Sequence, residues 1–112
     1  MQAGRLRHRV SIATLQETDD EHHGYASVPL VIASRIPADV VELSGRALER
    51  AQQIDPRITC EVHVRFRSDI ASGQQLTYHD PDRGDRVFEI VGPPVNPEGR
   101  RRELVLTVKA AL

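Results

Sequence analysis

The residues of this chain that could do chemistry are five histidines, one cysteine and several tight groups of carboxylates and arginines. His22 and His23 stand beside Asp19, Asp20 and Glu21, a mixture that could ligate a metal. Neighbours in sequence point to opposite sides of a strand and scatter in a loop, and no second ligand pair at a metal-site spacing accompanies them. A solvated loop is the better reading. Asp80, Asp82 and Asp85 with Gly84 have the composition of a calcium loop, but the spacing is wrong and the terminal bidentate glutamate is missing. A polar hairpin turn accounts for them. Cys60 falls on the apolar side of an alternating stretch, which predicts a buried, inert thiol. His8 falls on an inward set and reads as a packed strand end. His63 shares a polar face with Glu61 and Arg65. The sequence has no G-x-S-x-G, no G-x-x-x-x-G-K, no H-E-x-x-H and no C-x-x-C. The expectation is a protein without a catalytic site, metal or cofactor.

Arginines form two clusters, Arg5, Arg7 and Arg9 near one terminus and Arg100, Arg101 and Arg102 near the other. Arg100, Arg101 and Arg102 could touch phosphate, or form a solvated turn or ion pairs between subunits, while the basic residues at the start of the chain suit a solvated or partner-facing edge. The overall balance, 15 Lys and Arg against 16 Asp and Glu, argues against a dedicated nucleic-acid binder. Two Tyr, two Phe and no Trp poorly supply a stacking platform for single strands. One cysteine permits no internal disulfide and points to a reducing compartment. No signal peptide is expected, because Arg5, Arg7 and Arg9 interrupt the start and no apolar run follows. No stretch approaches the length of a transmembrane helix.

The elements that must position these groups are mostly strands. Period-two alternation predicts a strand from Leu6 to Leu15. Gln16 to Ser27 has no apolar period and predicts a mobile hairpin loop. A strand over Leu30 to Arg35, a kink at Pro37 and a short strand over Ala38 to Glu42 follow, as in a chain turning a barrel corner. The clearest strand has Ile58, Cys60, Val62, Val64 and Phe66 on one face. Gln75 to His79 and Arg86 to Val91 form a hairpin about the Asp80–Asp85 turn. Gly92 to Gly99 reads as a proline-stiffened loop. Glu103 to Lys109 closes the chain with Leu104, Leu106 and Val108 inward.

One stretch departs from this pattern. Leu43 to Ile54 is helical, with Ala47, Leu48, Ala51 and Ile54 on a narrow apolar face and a start at Ser44-Gly45. At this length it needs a surface to lie on. It either plugs one end of a barrel or meets a partner protein. The whole is a single domain over residues 1–112. It is an all-β protein of about six antiparallel strands, a small barrel or sandwich, with one short central helix.

The order of features resembles a family. Gly4-Arg5-Leu6-Arg7-His8-Arg9-Val10-Ser11-Ile12 leads into a strand, and Leu43-Ser44-Gly45-Arg46 follows at mid-chain, running on through Ala51-Gln52. Then come Thr59 to Arg67, Arg86-Val87-Phe88-Glu89-Ile90 and Arg100-Arg101-Arg102-Glu103-Leu104-Val105-Leu106. This ordered set, over nearly the whole chain, resembles the phage head-tail joining proteins, also called head-closure or stopper proteins. Members occur in tailed phages, prophages and gene transfer agents.

The resemblance implies a non-enzymatic virion part, assembled in the host bacterial cytoplasm. It implies a homo-oligomeric ring with portal-adaptor proteins above and tail proteins below. Packaged DNA would be held in the channel without sequence-specific binding, and no membrane is involved. The family's channel-facing connection maps onto residues 41–57. That makes Leu43, Ser44, Gly45, Arg46, Glu49, Arg50 and Gln53 candidates for the gate or for contacts between subunits. Arg5, Arg7, Arg9, Arg100, Arg101 and Arg102 are candidates for contact with a neighbouring ring or subunit. The rival readings are a tail-completion or terminator protein, a small nucleic-acid-binding barrel, and an enzyme whose site is formed across a subunit interface.

Overall fold

Alternation of apolar and polar residues puts one side of each strand in a common core, and the strands close around it. The computed structural model describes residues 7–20, 24–99 and 101–111. Its elements are β1 (His8–Asp20), β2 (Gly24–Glu42), α1 (Gly45–Ile54), β3 (Ile58–Arg65), β4 (Gln75–Asp80), β5 (Gly84–Val95) and β6 (Glu103–Ala110). The strands form a closed antiparallel barrel in the order β1-β2-β3-β6-β5-β4, with β4 returning to β1. Val10, Ile12, Val62, Val64, Leu76, Leu106 and Val108 are fully enclosed, with Cys60, Tyr78, Phe88, Ile90 and Leu104 nearly so. Pairing such side chains across antiparallel ladders is what holds a small barrel together.

The segment expected to be a loop between β1 and β2 is strand instead. β1 runs on to Asp20 and β2 begins at Gly24, paired in register from Leu15 opposite Pro29 to Asp20 opposite Gly24. β1 meets β4 only from Val10 to Ala13, and β2 meets β3 only from Ala38 to Glu42. Past Ala13 in β1, and before Ile32 in β2, the two strands stand out from the barrel as a two-stranded arm, and the long axis of the molecule reaches 48 Å. A ribbon with no barrel face to bury is under no pressure to alternate, so its sequence loses the period-two signal. His22 and His23 lie outside the described residues.

β2 is one continuous bent strand rather than two. Its irregularity precedes Pro37: the register against β1 shifts on both sides of Ile12, and Arg35 adopts a left-handed φ of 48°. β5 likewise runs past Gly92 to Val95, with a bulge where Val91 and Val95 oppose Thr107 and Val105. The 68–74 segment is a loop, as expected, yet it feeds the core. Ile70 is buried, and the Gln74 side chain accepts the Ala71 N–H at 2.9 Å and donates to the Asp69 carbonyl at 2.9 Å.

Candidate functional site

Residues 43–57 connect β2 to β3 at one mouth of the barrel. The Leu43 N–H donates to the Thr59 carbonyl at 2.9 Å, which carries the sheet pairing to the edge of the segment. Ser44 is the N-cap residue, but its hydroxyl makes no capping bond; only its carbonyl accepts, from the Leu48 N–H at 3.4 Å. Gly45 enters the helix at φ +57°, which glycine tolerates without strain. The first turn contains no acid and the last turn no base, so neither end of the helix dipole is compensated.

The far end is better held. The Asp55 N–H donates to the Ala51 carbonyl at 3.1 Å. The Asp55 carboxylate accepts from the Arg57 N–H at 2.9 Å and from its guanidinium at 3.1 and 3.2 Å, and Lys109 lies 3.4 Å away. Arg57 foremost, with Lys109, holds the Asp55 carboxyl well below the usual carboxylate range. Lys109 also pairs with Glu89 at 3.0 Å, tying the helix exit to β6 and β5. α1 is therefore fastened at its C-terminus and loosely started at its N-terminus.

α1 packs chiefly on β3, and none of its ten residues is buried. It does not plug the barrel. Leu48 and Leu43 contribute to the rim of a cavity of about 520 Å³, whose other walls include Glu42, Tyr78, Arg83 and Arg86. Arg46, Ala47, Glu49, Arg50, Gln53 and Ile54 are exposed, Ile54 to 75 %. A ten-residue helix gains too little from propensity to be stable with so little burial, so this face suits a partner. Cys60 also lines the cavity wall, and burial pushes its thiol pKa up, as expected of an inert cysteine.

The arginine clusters do not come together. Arg7 and Arg9 are exposed beside His8, Tyr78 and Asp80, close to the α1 mouth. Arg101 and Arg102 lie at the opposite end of β3: the Arg102 carbonyl accepts the Phe66 N–H at 3.2 Å, and the Arg101 guanidinium stands 5.7 Å from the Phe66 ring centroid. Arg101, at φ +56°, also donates its N–H to the Asn96 side chain at 3.1 Å. Arg5 and Arg100 lie outside the described residues.

The arm is the surface that the sequence did not reveal. Leu15, Val28, Leu30 and Val31 are exposed to 48, 46, 47 and 60 %. Leu15 pairs with Pro29 and Ala13 with Val31 on one side of the ribbon, while Gln16 pairs with Val28 and Thr14 with Leu30 on the other. Both sides therefore carry exposed apolar groups. A two-stranded ribbon is marginal in water and calls for a covering surface.

Two histidines organise polar clusters that only the register could bring together. His63 has Glu61 at 2.9 Å on Nε2 and Glu103 at 2.8 Å on Nδ1, and both ring nitrogens donate in the protonated form. Burial pulls its pKa down, but the two carboxylates outweigh it and the net shift is upward. Ser11 Oγ lies 2.6 Å from His79 Nε2, and His79 Nδ1 lies 2.9 Å from Asp85 Oδ1. This has the connectivity of a hydrolase triad. The Arg35 N–H that approaches Ser11 donates to the hydroxyl itself, at 3.0 Å, and so pins the β2 bulge instead of facing a substrate oxyanion. Asp80, the centre of the calcium-like group, accepts from the Asp82 and Arg83 N–H groups at 2.9 and 3.3 Å, as a turn carboxylate does.

With this geometry in hand, three comparisons bear on the chain. The profile of the phage head completion protein family matches residues 1–111. Head completion protein gp7 of Enterobacteria phage HK97 is 31 % identical over 106 residues, 94 % of each chain. The solution structure of protein SF1141 from Shigella flexneri 2a superposes with a TM-score of 0.66 at 27 % identity, covering 99 % of this chain and 98 % of that one.

Proposed function

The chain belongs to the phage head completion protein family, and from that premise we propose that it forms a ring at the head-tail connector. The ring closes the portal channel after DNA packaging and presents the surface on which the tail docks. Head completion is a structural role, and the family is not one of enzymes. The observation that carries the reading is the extent of the match: it spans the barrel, the arm and the α1 segment alike, from residue 1 to 111. The physics of the segment supports a gate at residues 41–57, because a helix with no buried residue repacks at little cost when subunits meet. Arg7 and Arg9 at one end of the barrel, and Arg101 and Arg102 at the other, suit contacts to the rings above and below. The protein would reside in the particle, with head components on one side and tail components on the other.

The test is deletion of the gene in its own particle system, followed by electron microscopy. DNA-filled or leaking heads beside separate, complete tails are expected. Heads carrying abnormal tails would move the protein into the tail, and normal infectious particles would overturn the structural reading.

A further inference from the structure

Two exposed apolar surfaces flank the barrel, α1 and the arm, and Leu15 at the base of the arm borders a groove that Arg57 and Lys109 also line. His8, where the strand begins, lines the same cavity as Leu48 of α1, and the arm lies where the strand ends. The distance from His8 to Asp20 along the strand is about 40 Å. The two surfaces also differ in charge. Residues 10–34 contain no Lys or Arg, while Glu17, Asp19 and Asp20 occupy the distal part of β1. α1 carries Arg46 and Arg50 exposed beside its apolar face, with Glu49 its one acid. Arm against arm would set acid against acid, and helix against helix would set arginine against arginine. Arm against helix matches both apolar surface and charge.

We propose that the arm of one subunit packs on α1 of a second copy of this chain, head to tail, with Leu15 or Val31 against Ile54 and the acidic end of the arm near Arg46 and Arg50. Such a contact joins two different surfaces, so it propagates in one direction and closes into a ring when the rotation permits. It covers Leu15 and Val31 on one side of the ribbon together with Ile54 of the helix. The inference rests on the connector reading above, and it names which surfaces of the ring subunit meet.

The experiment is disulfide trapping in particles. A Val31→Cys/Ile54→Cys double variant replaces the natural protein, and each single variant serves as control. Cys60 is enclosed and does not interfere. Particles that join tails and give, on oxidation, a ladder of covalent multimers beyond the dimer only with the double variant are the expected result. Joined particles without that ladder overturn the arm-on-helix contact while leaving the connector reading intact. So does a single variant that cross-links to a head or tail protein instead of to a second copy. Should heads and tails join without the protein, the connector reading itself fails. A charge swap gives a second measurement. Arg46→Glu/Arg50→Glu should weaken subunit association about tenfold or more, and adding Asp19→Arg/Asp20→Arg should largely restore it. Failure of the second pair to restore association in a normally melting protein overturns the proposed pairing.

Discussion

His63 shows how a polar residue on the outer wall contributes to stability. Its folded pKa is raised above the ordinary 6.5 by Glu61 and Glu103, against the opposing effect of burial. A raised pKa contributes stability that is fully present below the unfolded value and is lost as pH rises through the folded one. The melting temperature should therefore fall as pH rises above the ordinary histidine range, and His63→Gln should flatten that decline. An equally steep decline in the variant would assign the effect elsewhere. In the core, Val64 is fully enclosed, and Val64→Asp buries an unpaired charge at a cost upward of about 3 kcal/mol. Against a total stability of roughly 5–15 kcal/mol, the variant should fail to melt cooperatively in calorimetry. Residues on regular strands were legible because alternation marks them: Cys60, Val62, Leu104 and Leu106 were all expected inside and are inside. Ile70 and Gln74 were not, because an irregular loop has no period. Ser11 and His79 meet across 68 positions, and only the strand register could bring them together.

At the scale of elements, α1 was recognisable from its apolar spacing, and its range of Gly45–Ile54 lies within the expected stretch. Its capping was not. The serine looked like an N-cap, yet its hydroxyl makes no capping bond. Ser44→Ala should then shift stability by no more than about 0.5 kcal/mol, where a bonded cap would cost about 1 kcal/mol. Gly45→Ala should cost more, about 1–2 kcal/mol, purely through the left-handed backbone; nothing lies within 4 Å of the added carbon. Amide exchange along α1 distinguishes the two, with faster exchange in Gly45→Ala and none of that change in Ser44→Ala. The arm carries no such signature, for the opposite reason. Its strands answer to each other and to no core, so the hydrogen-bond ladder that makes them strands leaves no mark in hydrophobic period.

For the whole molecule, an all-β protein with one helix was readable from the chain, but barrel against sandwich was not. Closure depends on β1 meeting β4, a pairing of residues 10–13 with 75–78 fixed by the shear of the entire sheet. The closed barrel also divides the molecule into a rigid part and two appendages. Amide exchange of the free subunit should be slowest in β3 and β6 and fastest in α1 and the outer arm. In assembled particles the same two appendages should become protected. Continued fast exchange in both would mean that neither is a contact surface.

The enclosure of Cys60 has a consequence for the lifetime of a particle. On the connector reading proposed above, the subunit would be built in a reducing cell and released into air, changing redox environment once. A ring of subunits each bearing an accessible thiolate would slowly scramble into stray disulfides after release. Here the single thiol is 4 % exposed and its pKa is raised by burial. It should react with a disulfide reagent far more slowly than an exposed cysteine does. On that proposed reading, the connector would be slow to age by oxidation.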